Sequence, residues 1–138
     1  MTATRIACIA PEPMIFGVAV QRGRYTYGLI KESGEFVLNL VTKEQASIAA
    51  RAGMESGRDI DKFAAYGLET KQATHVGAPL IVGCAAHIEC KVINSVEVAD
   101  RTMFIAEVVA LHVNERESPL ISFQHKFREL GNVVPRGV

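Results

Sequence analysis

The segment Arg22-Gly23-Arg24-Tyr25-Thr26 is the part of the sequence best suited to binding an anion. It combines two guanidinium groups, a loop glycine and a hydroxyl beside the expected start of a helix. Free backbone N–H groups at a helix N-terminus can bind an anion, and arginine adds positive charge and paired hydrogen-bond donors. A phosphate site is therefore one interpretation of this segment. The spacing matches neither the P-loop nor the dinucleotide-binding glycine motif. A solvated turn followed by a helix cap is the alternative, and the sequence leaves both open.

Two further segments carry polar side chains that suit a ligand. Residues 56–63, SGRDIDKF, form a charged run with an aromatic end. A capped, solvated loop with Phe63 in the core is the more ordinary interpretation of such a run. Thr2 and Thr4 lie near the start of the sequence, where chains commonly fray, but their hydroxyls suit a phosphate if this segment lies against a partner subunit.

No side chain stands out as an acid, a base or a nucleophile. Cys8 has no histidine or basic residue beside it to activate its thiol, so an inert thiol is expected. Glu89 and Glu107 fall within β-like runs, and we expect them on the solvent face of a strand. A zinc site takes about four ligands at short spacings, so the scattered histidines predict no metal site. These histidines, expected to be packed or at the surface, are His75, His87, His112 and His125.

Length and composition predict one globular, cytoplasmic domain over residues 1–138. Fifteen basic residues balance fifteen acidic ones, so no net field would draw the chain to nucleic acid or to an anionic membrane. No uncharged run approaches the length that crosses a bilayer, and the first ten residues do not resemble a signal peptide. Three cysteines without CxxC spacing are expected to be reduced, with Cys84 and Cys90 as small core residues.

Alternating apolar residues predict strands, above all in the second half of the chain. Residues 85–98 and 102–113 carry apolar side chains at even spacing, and residues 98–101 between them predict a hairpin turn. Further strands are predicted at residues 14–20, 35–41 and 120–123 and in the region that Pro79 opens. The Pro11-Glu12-Pro13 segment is expected to interrupt regular structure.

The predicted helices are short. Residues 25–31 form one, with Thr26 as N-cap and Gly34 at its end. A capping box that begins at Thr42 predicts a second helix, which Gly53 ends. Helical turns are predicted at residues 61–66 and 125–130. Several antiparallel strands with few short helices favour a closed or split barrel over a doubly wound parallel sheet.

In their order and spacing, seven stretches resemble the flavin-reductase-like family of FMN-binding split barrels, which includes flavoredoxins and ferric or flavin reductases. The stretches are PEPMIFGVAV, RGRYTYGLIKESGEFVLNL, SGRDIDKF, YGLET, APLIVGCAAHIECKV, DRTMFIAEVVALHV and PLISFQHKFRELG. The similarity runs from about the first residue to Gly131. It implies a mainly β, antiparallel Greek-key split barrel with a few short α-helices, and a homodimer with FMN at the interface.

The resemblance also assigns residues to the cofactor. The implied contacts are Thr2 and Thr4 in a threonine loop, Cys8, Ile9 and Ala10 along the isoalloxazine ring, Arg22, Arg24 and Thr26 at the phosphate, and Ser56, Gly57, Lys62 and Phe63 in a loop over the ligand. His125 and Phe127 are candidates for the nicotinamide side. The implied cofactor is FMN, with NAD(P)H as electron donor.

The sequence departs from the family pattern at three places. Arg5 stands near the position of a family tryptophan, and this chain has no tryptophan. Asp100-Arg101 replaces an Asp-His pair before the last long strand. Family members usually have a further strand and loop before the point that matches Met1, so a weakened flavin site at an unpaired sheet edge is one expectation.

Three functions follow from the resemblance and remain open at this stage. The first is an FMN-dependent NAD(P)H oxidoreductase that reduces free flavin, iron or a redox partner protein. Because the flavin carries such chemistry, this function needs no catalytic side chain. The second is a flavoredoxin-like electron carrier without a nicotinamide site. The third is a dimeric binding module that has lost its flavin.

Overall fold

Strands dominate the computed structural model of the chain, which describes residues 1–132, 134, 135 and 137. They are β1 (Ile6–Pro11), β2 (Met14–Gln21), β3 (Glu35–Leu40), β4 (Thr70–Lys71), β5 (Leu80–Ile81), β6 (Ala86–Val98), β7 (Arg101–Val113), β8 (Ile121–Phe123) and β9 (Lys126–Arg128). Five of them form one antiparallel sheet in the order β1-β2-β7-β6-β3, while β4–β5 and β8–β9 form two small ladders. The prediction of a mainly β, antiparallel fold is confirmed.

Inward-facing apolar side chains of the sheet and α1 (Tyr25–Ser33) form the hydrophobic core. β6 and β7 pair along nearly their whole length, and the predicted turn between them consists of Ala99 and Asp100. The core residues are Val18, Val20, Ile30, Phe36, Leu38, Ile88, Cys90, Phe104 and Ala106. Burial raises the pKa of the Cys90 thiol to about 12, so this thiol serves packing, as the sequence predicts.

Three short helices and one 3-10 turn connect the strands. They are α1, the 3-10 turn (Lys43–Gln45), α2 (Ala46–Met54) and α3 (Lys62–Ala65). The backbone N–H of Thr42 donates to Gln45 Oε1 at 3.2 Å, which confirms the capping box. Asp61 caps α3 by accepting from the N–H groups of Phe63 and Ala64. Within the described residues, no helix is long and apolar enough to cross a membrane.

Two predicted helix boundaries are wrong. The N-cap of α1 is Arg24, which has extended backbone angles, so Thr26 lies inside the first turn and does not cap the helix. Gly53 does not end α2, because the helix continues to Met54 and then leaves through the extended residue Glu55. The N–H of Glu55 still closes the last turn by donating to Arg51 O at 2.9 Å.

Two terminal segments are strands where the sequence predicts none. Residues 126–128 form β9 instead of a helical turn, because Gln124 and His125 adopt φ of 51° and 59° and reverse the chain in a tight hairpin. The sequence does not predict β1, because Pro11 is expected to interrupt regular structure. Pro11 ends an edge strand, where its missing N–H group breaks no ladder.

Glu89 is fully buried, so its predicted position on a solvent face is wrong. Ala86 to Cys90 of β6 are all buried, so this part of the strand is covered on both faces, and the segment that carries Thr74 and His75 covers the side of Glu89. Glu89 Oε1 accepts from the N–H of Thr74 at 2.8 Å and from His112 Nε2 at 2.8 Å. Its Oε2 accepts from the N–H of His75 at 2.7 Å. Glu107, by contrast, is exposed as expected.

Gly34→Ala is expected to lower the free energy of unfolding by about 1 kcal/mol, because Gly34 ends α1 at a φ of 69°. An added methyl group would meet no atom within 4 Å, so the cost is that of the backbone conformation alone. Gly28→Ala is the matched control inside the same helix, also without neighbours, and should stabilise the protein by about 0.5–1 kcal/mol. Urea unfolding measures both. Equal changes in the two variants would contradict this account.

Candidate functional site

The first four residues lie along α2. The hydroxyl of Thr2 donates to Ala49 O, and a Cβ atom at Gly53 would stand 3.4 Å from the Thr2 Cβ. Position 53 is therefore within van der Waals distance of Thr2, and the predicted threonine loop packs against α2.

A small open cavity lies between this segment, the end of β2 and the start of α1. Its volume is about 120 Å³. Its polar lining consists of Thr2, Thr4, Arg5, Gln21, Arg24 and Arg101. Three residues that the sequence assigns to the cofactor, Thr2, Thr4 and Arg24, thus meet at one place. Because no carboxylate lines the cavity within the described part of the chain, the site suits an anion.

Lys62 adds positive charge beside this cavity. Its Nζ donates to Ala52 O, near the end of α2, at 2.8 Å. Burial lowers the pKa of Lys62, the carboxylate of Glu55 opposes this, and the positive charge of Arg24 lowers it further. Arg24 and Lys62 are therefore close enough to repel each other, and an anion between them would relieve that repulsion.

The loop predicted to close over the ligand packs against the start of α1. A Cβ atom at Gly57 would stand 3.0 Å from Tyr25 Cδ1, so only glycine allows so close an approach without displacing the ring. The guanidinium group of Arg58 lies 5.8 Å from the centre of the Tyr25 ring. Ser56 Oγ accepts from the N–H of Arg58 at 3.2 Å. Phe63 is 44% exposed, so the alternative that it fills the core is wrong.

Arg22 points away from the cavity. Its Nη1 donates to Arg101 O at 3.0 Å, and its Nη2 donates to Ala99 O. Arg22 therefore holds the turn between β6 and β7, although it lies only two residues from Arg24. The sequence predicted phosphate binding for both arginines, because their spacing does not show which way each side chain points.

The remaining predicted residues are not brought to the cavity. Cys8, Ile9 and Ala10 lie on β1 at the edge of the sheet, with Cys8 and Ile9 exposed, and Thr26 is half-buried in α1. His125 and Phe127 lie in the β8–β9 hairpin, also exposed. No cluster of three metal-ligating side chains occurs among the residues that the structure describes.

Sequence reasoning missed Arg5, Gln21 and Arg101 as lining residues. Gln21 and Arg101 are cross-strand neighbours on β2 and β7, a pairing that only the sheet register reveals. The N–H of Ala19 donates to Arg5 O at 3.0 Å, which fixes Arg5 beside the same end of β2. Arg5 and Arg101 are the two arginines at which the sequence departs from the pattern of the family that it resembles, and that departure was the available signal.

Comparison with known proteins identifies the family of the chain. Residues 1–131 match the family model for the flavin reductase like domain. The chain belongs to this family. An uncharacterized protein from Archaeoglobus fulgidus is 36% identical over 118 residues, which are 86% of this chain and 66% of that protein. The chain thus spans just under two thirds of this relative's length.

Other members of the flavin reductase like family have named activities or solved structures. FMN reductase (NADH) RutF of Pseudomonas syringae pv. syringae is 25% identical over 134 residues, which are 97% of this chain and 73% of that protein. The structure of flavoredoxin from Desulfovibrio vulgaris (Miyazaki F) superposes with a TM-score of 0.88 at 26% identity. It covers 97% of this chain and 79% of flavoredoxin. The split-barrel fold class predicted from the sequence is confirmed by this likeness.

Proposed function

We propose that this chain is an FMN-binding oxidoreductase that acts as an NAD(P)H-dependent flavin or ferric reductase. The observation that carries the proposal is the convergence of Thr2, Thr4 and Arg24 on one cavity without carboxylates. These residues come from two separate segments that the resemblance to the family had assigned to the flavin. The residues present fit a flavin phosphate, because the site offers guanidinium and hydroxyl donors and excess positive charge.

Each residue of the cavity has a separate task in this proposal. Arg24 donates paired N–H groups to the phosphate. The hydroxyl proton of Thr2 is already donated to Ala49 O, so Thr4 is the hydroxyl donor for the ligand. Gly57 allows the loop that carries Lys62 to lie close to α1 and keep that charge near the anion. The flavin, when bound, accepts a hydride from NAD(P)H and passes electrons to an acceptor.

Two relatives support different versions of this activity. The similarity to RutF, an FMN reductase (NADH), supports a nicotinamide donor and a flavin acceptor. The likeness to flavoredoxin supports a carrier that exchanges electrons with a redox partner protein. The reductase is the leading proposal because a carrier would need an additional protein donor.

We expect the active form to be a homodimer with the flavin at its interface. Exposed apolar side chains support a partner surface, among them Ile9 on the edge strand and Ile93, Val96 and Val98 on β6. A cytoplasmic location is part of the same proposal. It is supported by the free thiols of Cys8, Cys84 and Cys90, two of them buried.

An absorbance titration of the purified protein with FMN, followed by anaerobic NADH or NADPH, tests the proposal. Bound flavin whose visible bands bleach with the nicotinamide would support the reductase. Bound flavin that stays oxidised would favour the carrier. Absence of FMN binding would overturn both. Size-exclusion chromatography with light scattering on the same sample measures the dimer.

A further inference from the structure

Three arginines line one small cavity, one more than the family resemblance assigns to the phosphate. Arg24 is the only one of them among the predicted phosphate residues. Arg5 enters from the segment before β1, and Arg101 enters from the first residue of β7. The three come from separate parts of the sequence, and the fold brings them to a cavity of about 120 Å³.

Little in the protein neutralises these charges. Within the described ranges, the side chains of Arg5 and Arg24 have no hydrogen-bond acceptor and no ion-pair partner. Arg101 Nε lies 3.6 Å from Asp100 Oδ1, and because the Asp100 side chain is 59% exposed, solvent screens this pair. Asp100 also accepts from Gln21 Nε2 at 2.9 Å. Arg22 is the contrast, because turn carbonyls accept from both ends of its guanidinium group.

The group that suits this arrangement is a terminal phosphate. A phosphomonoester carries a charge of about −1.5 to −2 at neutral pH and three acceptor oxygens on one phosphorus. Three arginines around a small cavity match that concentration of charge and acceptors. In FAD, each phosphate of the diphosphate bridge has one negative charge and two free oxygens. Riboflavin has no phosphate.

We propose that Arg5 and Arg101 join Arg24 in a three-arginine pocket that selects a terminal phosphate dianion. The pocket makes the chain specific for FMN over FAD and over riboflavin. This inference rests on the proposed function, because it places the flavin phosphate in that cavity. It goes beyond the proposed function by assigning specificity to Arg5 and Arg101, which the resemblance does not assign to the cofactor.

The test compares the wild type with an Arg5→Gln/Arg101→Gln variant. Flavin fluorescence titrations give the affinities for FMN, FAD and riboflavin. The matched control is Arg116→Gln/Arg128→Gln, which makes the same charge change at two exposed arginines outside this cavity. A separate titration with inorganic phosphate, read as the shift in Tm, needs no flavin.

We expect the Arg5→Gln/Arg101→Gln variant to bind FMN about a hundredfold more weakly, because each charge-assisted interaction accounts for about tenfold or more. Its riboflavin affinity should not change, its preference for FMN over FAD should disappear, and phosphate should no longer raise its Tm. The control variant should behave as the wild type. An equal loss of FMN and riboflavin affinity would indicate structural damage and would overturn the inference.

The remaining outcomes separate this inference from the proposed function. If FMN binds the wild type and the double variant equally, the three-arginine pocket is wrong while the flavin function stands. If no flavin binds the wild type but inorganic phosphate raises its Tm through Arg5 and Arg101, the anion pocket stands and the flavin function is wrong.

Discussion

Glu89→Gln is expected to lower the free energy of unfolding by about 3 kcal/mol at pH 7. Glu89 is fully buried, and its two oxygens accept three hydrogen bonds, from the N–H groups of Thr74 and His75 and from His112 Nε2. An amide has only one acceptor oxygen. Its NH2 group would therefore face a donor, leaving a buried polar group without a partner.

The loss should extend beyond β6. Thr74 and His75 belong to the segment between β4 and β5, and Glu89 anchors that segment to the sheet. Hydrogen exchange is expected to become faster in the variant at whichever of these two backbone amides faces the new NH2 group, because the single oxygen of Gln still accepts from the other.

The stabilisation by Glu89 should depend on pH in acid. Burial alone would raise the pKa of this carboxyl, but the hydrogen bonds from Thr74, His112 and His75 outweigh it and lower the pKa from 4.5 to about 2. A lowered folded-state pKa means that the charged form stabilises the fold above the unfolded-state value. The stabilisation, about 3 kcal/mol at neutral pH, should then be lost as the pH falls from about 4.5 to about 2.

Urea unfolding between pH 7 and pH 3 measures both effects. The difference between wild type and Glu89→Gln should be largest at pH 7 and fall to less than half by pH 3. Glu97→Gln is the matched control, because Glu97 lies exposed on the same strand and its change should cost at most about 0.5 kcal/mol. A Glu89→Gln variant as stable as the wild type at pH 7 would contradict the burial of a charged group.

Sequence periodicity predicted the strands because each long strand has a repeating apolar face. It failed at Glu89, because both faces of β6 are buried there and a distant loop supplies two of the three donors. A covering loop that is distant in the sequence leaves no local pattern. The β8–β9 hairpin was missed for a related reason, since its turn depends on positive φ at Gln124 and His125, residue types that do not require it.

The sequence predicted which types of residue form the candidate site, but it did not predict which side chains point into the cavity. The resemblance to the family assigned Thr2, Thr4 and Arg24 to one ligand, and all three line the cavity, although Arg24 belongs to a different segment from the two threonines. Whether Arg22 or Arg24 faces the cavity depends on how the chain leaves β2. The N–H of Arg22 donates to Asp100 O at 3.1 Å, which holds Arg22 at the hairpin, whereas Arg24 begins the helix.

Arg24→Gln is expected to weaken FMN binding by about tenfold to a hundredfold, because a charge-assisted hydrogen bond contributes about 1.5–3 kcal/mol. Stability should change little, since Arg24 is exposed and its side chain has no hydrogen bond among the described residues. Arg22→Gln is the matched control. It removes the bonds to Ala99 O and Arg101 O and should cost about 1 kcal/mol of stability while leaving FMN affinity unchanged.

Flavin titration and urea unfolding of both variants give a crossed result that neither a general charge effect nor general damage to the fold would produce. A diffuse electrostatic contribution would weaken FMN binding equally in both, since each variant loses one positive charge from the same loop. Damage to the loop would lower the stability and the FMN affinity of a variant together. If Arg22→Gln loses FMN affinity and Arg24→Gln does not, the phosphate lies on the hairpin side, and the cavity at Thr2 and Thr4 is not the flavin site.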